Sequence, residues 1–325
     1  MEGLVNDIAS LLAATIRVAT PLVLTAFAGL FSERSGVVDV GLEGKMLGGA
    51  FAAATIAALS GSPWLGVLAA IVFAVAISMM HGLACITYAG NQVVSGMAIN
   101  ILIAGLAPTL AFAWFAQGGQ VPLSGTGARF TPITLPGAAA LADVPVLGLI
   151  YSRLISGHNI LVYLAALTIP VVAFVLYRTR FGLRLRAVGE SPSAVDTAGI
   201  SVAGMRYQAL MINGMLVGIA GAYLSVAQGA GFVRDMSAGK GFLALAALIF
   251  GKWKPVPTLL ACLLFAFTDV LQVRLQGVPL PGVGVIPVQF IQLLPYVLTV
   301  LLLAGFVGKA VAPKAIGLPY LKERR

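Results

Sequence analysis

The chain has 325 residues, of which 59% are hydrophobic and only 10% charged, and its mean hydropathy is +1.00. Soluble domains are about 45–50% apolar and about 25% charged, so this composition excludes a disordered chain, a disulfide scaffold and an ordinary cytosolic enzyme. The net charge is +9, but the basic residues lie mostly at the ends of apolar runs. This placement is typical of residues that set the orientation of a membrane protein and does not indicate nucleic-acid binding. The sequence predicts an all-α, polytopic membrane protein.

Apolar segments follow one another along the whole chain. A spanning helix needs about 20 apolar residues. Nine candidates occur at 8–31, 43–59, 64–88, 93–115, 159–177, 209–228, 241–250, 256–275 and 288–307. The seventh has only about ten residues, so it is either a half-helix, a re-entrant segment, or a helix that extends back through Ser237. We therefore expect about nine transmembrane helices (eight to ten), some short or broken, in a single domain over residues 1–325.

The positions of the basic residues predict the orientation. A cytoplasmic C-terminal tail would place 14 of the 20 Lys and Arg residues inside and five outside, with Arg17 within the first span. This favours an outside N-terminus and an inside C-terminus, provided that the short seventh segment crosses the membrane. Two long connections are then a cytoplasmic loop at about 178–208 and an extracellular loop at about 117–158, the latter with a short interfacial helix around 138–150.

Five charged residues lie between the first two apolar runs: Glu33, Arg34, Asp39, Glu43 and Lys45. Charges beside membrane spans are costly unless they are paired or hydrated. One interpretation is a solvated cytoplasmic turn. The other is a broken-helix segment that lines a translocation path, in which glycines 36, 41 and 44 permit the break.

Polar amides and hydroxyls open the fourth apolar run at Asn91, Ser95 and Asn100, and Asn213 and Gln228 lie in the sixth. Such groups need partners inside a bilayer. They either form hydrogen bonds between helices or contact a polar solute in a central pathway. The small residues are simpler to interpret. We expect Gly214, Gly218 and Gly221 to serve helix packing, and both Cys85 and Cys262 to be packing residues rather than a disulfide or a metal pair.

A basic run, Arg178 to Arg186, precedes a segment with the signals of a short surface helix. Ser191 is a candidate N-cap, Pro192 a candidate first helical residue and Gly199 a candidate stop. The helix would have about seven residues, with a partly apolar face formed by Ala194, Val195 and Ala198. It is either a structural turn or a surface helix that docks into a partner protein.

No motif for chemistry occurs in the sequence. The phosphate-binding pattern GxxxxGK[ST] is absent, so the chain is not predicted to hydrolyse ATP, and neither HExxH nor GxSxG is present. Asp269 is the main acidic candidate deep within a span. One such residue is little support for an ion-coupled transporter, which often relies on intramembrane carboxylates.

Three of these segments together resemble a known family. Residues 32–44, Asn91-Gln-Val-Val-Ser and residues 185–200 are similar to stretches of the permease subunits of bacterial ABC importers for nucleosides and related simple-sugar or branched-chain amino acid substrates, and are closest to the nucleoside type. The similarity extends over about residues 9–308. The family form typically has Asn at the position of Asp39 and reads Asn-Glu-Val-Ile-Ser at the second stretch.

The resemblance implies a multi-pass permease domain in the bacterial cell (inner) membrane. It implies partners: an ABC ATPase subunit, a paralogous second permease that would form a heterodimer, and a periplasmic or lipid-anchored solute-binding protein. ATP and Mg would be bound by the ATPase, with no cofactor, metal or catalytic residue in this chain. Alternative solutes are riboflavin, a nucleobase and a simple sugar. The other interpretations of the chain are an ion-coupled secondary transporter and a membrane scaffold or enzyme subunit without transport.

Two sets of residues are candidates for function. The ATPase-coupling segment comprises Glu190, Ser191, Pro192, Ala194, Val195, Asp196, Ala198 and Gly199. The substrate pathway would be lined by Glu33, Asp39, Glu43, Asn91, Ser95, Asn100, Asn213 and Gln228.

Overall fold

The structure, a computed structural model, describes residues 2–123, 127–138, 144, 148–276, 279–280, 284–285, 287–293, 297 and 311–321. Its helices are α1 (Glu2–Arg34), α2 (Leu42–Ser60), α3 (Pro63–Gly82), α4 (Gln92–Phe115), α5 (Ile160–Arg178), α6 (Arg180–Glu190), α7 (Pro192–Thr197), α8 (Val202–Ala222), α9 (Lys240–Phe250), α10 (Pro255–Leu275) and α11 (Val288–Gln292). Three π-helical turns are Leu83–Thr87, Leu149–Ile155 and Tyr223–Gln228. Two antiparallel pairs of very short strands join β1 (Val121–Pro122) to β2 (Gly231–Phe232) and β3 (Pro279–Leu280) to β4 (Gly284–Val285).

Within the described residues, seven helices are long and apolar enough to cross a membrane. They are Asn6–Arg34, Leu42–Ser60, Pro63–Thr87, Gln92–Phe115, Ile160–Arg178, Val202–Gln228 and Pro255–Leu275, and α9 is a shorter apolar helix. The prediction of an all-α polytopic protein is confirmed. Most of the ninth predicted span, 288–307, and of the predicted interfacial helix, 138–150, lies outside the described residues.

The alternation of the helices defines two ends of the bundle. One end, which we call the α7 face, contains the end of α1, the turn between α3 and α4, helices α6 and α7, and the start of α8. The ends of α2, α4 and α8 and the start of α5 lie at the opposite end. Residues 311–321 return to the α7 face, where Gly317 N–H donates to the Gly36 carbonyl. The basic residues of α6 also lie at this face, the one for which the charge distribution predicts a cytoplasmic location.

The short helix α9 crosses the bundle together with the non-helical segment that precedes it. The segment starts at the opposite face, where β2 pairs with β1. Helix α9 then begins beside Glu43 and ends shortly before Trp253, whose carbonyl accepts hydrogen bonds from Arg34 at the α7 face. Eleven residues of helix cover only about 16 Å, so residues 229–239 supply the rest of the crossing. The predicted orientation stays a prediction, because most of the ninth predicted span lies outside the described residues.

Helix α8 lies at the centre of the bundle, against α1, α2 and α3. It begins at Val202, earlier than the predicted residue 209. The added residues 202–208 include Arg206, which is buried. The predicted loop 178–208 is also mostly helical, since α6 and α7 lie within it. Cys85 and Cys262 are buried and free, as expected for packing residues.

Glycines of α8 allow close contact with α3 and α2. A Cβ atom at Gly214 would lie 2.6 Å from the Val75 Cα, and one at Gly218 would lie 2.7 Å from both the Ala70 carbonyl oxygen and the Ile71 Cα. The obstacles are backbone atoms, which cannot move aside as a flexible side chain can. The packing role predicted for these glycines agrees with this geometry.

Replacing Gly218 with alanine is expected to destabilise the protein by about 1–3 kcal/mol, because the added methyl group overpacks the α8–α3 contact. The matched control is Gly105→Ala on α4, where a Cβ atom would meet nothing within 4 Å. Heating the two variants in mild detergent and measuring the folded fraction by gel filtration compares them. Equal melting of both variants would contradict the tight packing assigned to Gly218.

Candidate functional site

The segment between α1 and α2 folds back into the bundle. Residues 35–41 are not helical, and Ser35, Val37 and Asp39 are fully buried. Gly36 makes the turn with a φ of +88°, a left-handed conformation that favours glycine. This burial contradicts the alternative of a solvated turn, and the non-helical backbone agrees with a broken-helix segment. That the segment lines a translocation path stays a prediction. We call residues 35–44 the re-entrant segment.

Side chains of α4 satisfy the backbone of the re-entrant segment. Gln92 Oε1 accepts a hydrogen bond of 2.6 Å from Val38 N–H. Asn100 donates through Nδ2 to the Val40 carbonyl at 2.9 Å and accepts from Gly44 N–H at 2.8 Å. Non-helical backbone at membrane depth is tolerated when protein groups replace water as hydrogen-bond partners. Asn100 thus has a structural task, and its side chain also borders a cavity.

A buried ion pair fixes the re-entrant segment to the bundle. Lys45 Nζ lies 2.6 Å from Asp39 Oδ2, and both side chains are completely buried. Asn213 Oδ1 accepts from Lys45 Nζ and from the Ser78 hydroxyl, each at 3.3 Å, and Asn213 Nδ2 donates to Ser32 Oγ at 3.3 Å. We call these five residues the central polar cluster; they tie α1, α2, α3 and α8 to the re-entrant segment. Asp39 and Asn213, both candidate pathway residues, are completely buried here.

His81 extends this network towards α4. Its Nε2 lies 3.0 Å from the Val38 carbonyl, which can only accept, so this nitrogen carries the proton. Its Nδ1 lies 2.9 Å from Ser95 Oγ and accepts the hydroxyl proton if the ring is neutral. Ser95, a candidate pathway residue, is thus an interhelical partner of α3.

Glu43 holds the start of α9. One carboxylate oxygen accepts from Gly239 N–H at 2.8 Å and the other from Gly241 N–H at 2.6 Å. These donors belong to the amino terminus of α9, where unpaired N–H groups and the helix dipole favour a negative charge. The fit is close, because a Cβ atom at Gly241 would lie 2.6 Å from the Glu43 Cα. Glu43 therefore fixes the position of a half-length helix relative to the re-entrant segment.

Two neighbouring cavities form a groove along α4. The one nearer the α7 face has a volume of about 310 Å³ and is bordered by Glu43, Asn100, Ser237 and Phe242. The other has about 510 Å³ and is bordered by Thr109, Phe112, Gly119 and Arg234. Both include Ala104 in their walls. We call the combined depression the α4 groove; it runs from the re-entrant segment and α9 towards the opposite face.

The α4 groove carries polar and charged groups within a mainly apolar lining. Its walls carry the carboxylate of Glu43, the amide of Asn100 and, further out, the exposed ion pair Arg234–Asp235 at 3.4 Å. Such groups are expensive against hydrocarbon and normally face protein or a water-filled cavity. The groove also has the features of many solute sites in transporters, namely unwound backbone and the amino terminus of a half-helix.

Three candidate pathway residues lie elsewhere. Glu33 is buried and accepts a hydrogen bond from Trp253 Nε1. Asn91 caps α4, with its Oδ1 accepting from Val93 N–H at 2.9 Å and Val94 N–H at 3.1 Å. Gln228 borders a different cavity of about 520 Å³ at the opposite face. Of the eight candidates, the structure therefore brings only Glu43 and Asn100 to the α4 groove.

The cavity beside Gln228 is cationic. Arg17, Arg129 and His158 also border it. Burial lowers the pKa of the His158 imidazole. Its Nε2 lies 2.9 Å from the Leu154 carbonyl, which leaves Nδ1 as an acceptor that has no hydrogen-bond partner in the described structure. This cavity lies at the face predicted to be outside.

The predicted surface helix is present as α7, residues Pro192–Thr197, and it ends before Gly199, whose φ is +78°. Two details differ from the prediction. The Ser191 side chain makes no capping hydrogen bond, since its φ and ψ of −151° and 83° place it at the end of α6 as well as the start of α7. The apolar face is also divided: Val195 is buried against the bundle, whereas Ala194 and Ala198 are exposed. Helix α7 thus has an anchored side and a free side, with Glu190 exposed and Asp196 half-buried nearby.

Several contributing residues were not singled out from the sequence. Lys45 was noted only as one charge among five, although it pairs with Asp39. Ser237 and Arg234 precede a short apolar run that gave no sign of a groove. Only His81 carried a usable signal, being one of just two histidines and lying inside an apolar span.

Comparisons with known proteins support the sequence resemblance. Residues 11–307 match the protein family described as branched-chain amino acid transport system / permease component. The guanosine ABC transporter permease protein NupQ of Bacillus subtilis is 40% identical, with 99% of each chain aligned. The nucleoside ABC transporter permease protein NupC of Lactococcus lactis is 38% identical over 99% of this chain and 100% of NupC. A second permease of the same Lactococcus strain, the nucleoside ABC transporter permease protein NupB, is 23% identical over 93% of this chain and 81% of NupB.

Proposed function

We propose a nucleoside-importing role for this chain, which belongs to the branched-chain amino acid transport system / permease component family. It is a multi-pass protein of the cell (inner) membrane and a transport component, not an enzyme. ABC permeases associate with an ABC ATPase, and importers of this kind receive solute from a binding protein. The proposal concerns three further points: the identity of the partner proteins, the solute that is moved, and the residues that line its path.

The α4 groove is the proposed half of the solute path. The observation that carries this assignment is the convergence of Glu43 and Asn100, which form polar walls in a depression that is otherwise mostly apolar. Its inner cavity of about 310 Å³ reaches the size range of about 300–1,000 Å³ typical of small-molecule sites. A nucleoside would place its hydroxyl and ring-nitrogen groups against these polar walls and its flat base against apolar ones.

A second permease chain is proposed to close the groove. The surface of α4 beside the groove is apolar, with Ile101 and Leu102 exposed, and a helix of a partner chain would cover both the apolar rim and the polar floor. The partner is expected to be a paralogue rather than a second copy. The two Lactococcus permeases similar to this chain, NupC and NupB, support this expectation.

The partner ATPase is proposed to bind at α7 and to hold the ATP and Mg, while this chain carries no cofactor. Val195 anchors α7 to the bundle, and the exposed residues Ala194 and Ala198 leave a small, smooth surface for docking. ATP-driven closure of the ATPase would move α7 as a unit. The permease would then change between two states that differ in their contacts with the ATPase.

Replacing Ala194 or Ala198 with glutamate is expected to lower uptake at least tenfold while the protein remains in the membrane. The added charge would weaken an apolar docking contact with the ATPase, and a loss of about 1.4 kcal/mol in binding free energy corresponds to a factor of ten. The contrasting variant is Val195→Glu, which buries an unpaired carboxylate and should lower the abundance of the protein itself. Uptake and membrane abundance are measured together. Normal uptake by both alanine variants at wild-type abundance would refute α7 as the coupling helix.

The solute and the energy source are tested by reconstitution. The chain is purified with its co-encoded permease, ATPase and binding protein, placed in liposomes and supplied with radiolabelled guanosine. We expect ATP-dependent uptake that vanadate blocks, that other nucleosides compete with, and that riboflavin, free nucleobases and glucose compete with weakly. Uptake that follows an ion gradient without ATP, or that only a non-nucleoside inhibits, would overturn the proposal. Asp269→Asn separates the two energy sources, since only an ion-coupled carrier is expected to need that half-buried carboxylate.

A further inference from the structure

Residues 311–321 form a connection between the helix pair α6–α7 and the re-entrant segment. Ala315 N–H donates to the Gly189 carbonyl, near the end of α6, at 2.8 Å. Gly317 N–H donates to the Gly36 carbonyl, at the start of the re-entrant segment, at 3.0 Å. We call residues 311–321 the strap. Its two backbone hydrogen bonds join parts of the chain that are far apart in sequence.

The strap is packed and not a loose tail. Ala315 is 5% exposed, and Ala312, Ile316 and Tyr320 pack against the apolar core that contains Val188 and Val195. Tyr320 also borders a cavity of about 270 Å³ at the carboxyl end of α7, which includes Gly199 and Ile200. A displacement of α7 therefore meets the strap directly.

Arg206 fixes the strap to the re-entrant segment. Its Nε donates to the Ser35 carbonyl and its Nη1 to the Leu318 carbonyl, each at 3.2 Å. Arg206 is 1% exposed. Among the described residues, its Nη2 has no hydrogen-bond partner and no carboxylate lies within ion-pair distance of the guanidinium. A buried cation whose partners are carbonyls, as they are here among the described residues, costs stability. Apolar packing would join these segments at lower cost, so a role beyond stability accounts for the arginine better.

The contacts leave little slack between α6 and the re-entrant segment. A Cβ atom at Gly189 would overlap the Arg34 carbonyl oxygen, and one at Gly36 would lie 2.9 Å from both the Ala315 carbonyl oxygen and Arg206 Nη2. Closely packed elements of this kind shift between discrete arrangements rather than deforming smoothly. Three residues beyond Gly36 lies Asp39 of the central polar cluster, and seven beyond it lies Glu43 of the α4 groove.

We propose that Arg206 and the strap are positioning elements that transmit the displacement of α7 to the re-entrant segment, and through it to Glu43 and the α4 groove. The inference rests on the proposed importer function. Arg206 touches neither solute nor ATP; it holds two carbonyls at a fixed separation. Without it, the ATPase would still bind and move α7, but the start of the re-entrant segment would follow incompletely.

The test uses the complete importer in liposomes and measures ATP hydrolysis and guanosine uptake in the same preparation. Coupling free energies between sites correspond to factors of about 5–150, and we expect Arg206→Gln to lower guanosine moved per ATP by about tenfold. The rate of hydrolysis and the amount of assembled complex should stay near wild type. Arg206→Lys, which keeps the charge but cannot span both carbonyls, should give an intermediate ratio. The control is Lys314→Gln, an equal loss of charge at an exposed position of the strap.

A second variant covers the case in which Arg206→Gln fails to assemble. A chain that ends at Gly317 keeps the donors to Gly189 and Gly36 but removes the Leu318 carbonyl, and it should show the same drop in guanosine per ATP. A wild-type ratio of guanosine moved per ATP in either variant would overturn the proposal, and so would a fall of hydrolysis and uptake in proportion to lost complex in both variants. If the wild-type complex shows no ATP-dependent uptake, the importer function itself fails, and the two failures are thus distinguished.

Discussion

Replacing Lys45 with methionine is expected to destabilise the protein by about 3–5 kcal/mol, the range observed when one partner of a buried ion pair is removed. Asp39 would remain with no opposite charge at 0% exposure. Its other contacts include Gly41 N–H at 3.2 Å and the side chain of Asn213, and neither group replaces an ammonium. The expected result is a strong loss of folded protein from the membrane and an apparent melting temperature lower by roughly 10 °C in mild detergent.

The double variant Asp39→Asn, Lys45→Met supplies the control. It removes both charges, and substitution of a whole buried pair by neutral groups is often close to neutral for stability. We expect the double variant to recover most of the lost stability. Its destabilisation should then be well below the sum of the destabilisations of the two single variants. A Lys45→Met variant as stable as wild type would show that the ion pair does not hold the re-entrant segment in place.

Replacing Glu43 with glutamine is expected to lower uptake by about 10–100-fold, since a hydrogen bond to a charged group contributes about 1.5–3 kcal/mol and each 1.4 kcal/mol is a factor of ten. The glutamine side chain keeps one acceptor oxygen, but its NH₂ group would then face an N–H of α9, and two donors cannot form a hydrogen bond. The amino terminus of α9 then moves away from the re-entrant segment, and the floor of the α4 groove changes shape. Uptake by the reconstituted importer at several guanosine concentrations measures the effect on apparent affinity.

Asn100→Ala should act in the same direction with a smaller effect of roughly fivefold, because it releases two neutral hydrogen bonds worth about 1 kcal/mol each, part of which water restores. Asn91→Ala is the matched control: it is also an asparagine of α4, but it caps the helix at an exposed position away from the groove. Unchanged affinity in both Glu43→Gln and Asn100→Ala would remove the groove from the solute path.

The helices could be predicted because bilayer thickness imposes a length that hydropathy reveals. Segments such as 93–115 and 256–275 agree with α4 and α10 to within about a residue. The prediction failed at the start of α8, where Arg206 made the sequence resemble a loop, although its guanidinium is bound by backbone carbonyls. Carbonyl partners supplied from distant segments leave no trace in local sequence.

The candidate site was predicted only in part, for a similar reason. Spacing showed that polar residues cluster in 31–45 and 91–100, but it could not distinguish residues that face a cavity from those that face each other. Asp39 and Asn213 meet in the interior because α1, α2 and α8 converge there, whereas Glu43, four residues after Asp39, faces α9 and the groove. That division depends on the depth at which the re-entrant segment turns, which is a tertiary property.

The most direct test of the α4 groove as a solute path is the accessibility of Ala104, which both cavities of the groove share. Cys85 and Cys262, the two cysteines of the chain, are first replaced with alanine. Cysteine is then placed at Ala104, or at Leu167, an exposed apolar residue of α5 expected to face lipid. In the assembled importer, a water-soluble thiol reagent should modify the Ala104→Cys variant and block uptake, and guanosine delivered by the binding protein should slow the reaction. The Leu167→Cys variant should not react. Equal inertness of both variants, or modification of Ala104→Cys that neither guanosine nor ATP alters, would contradict the account.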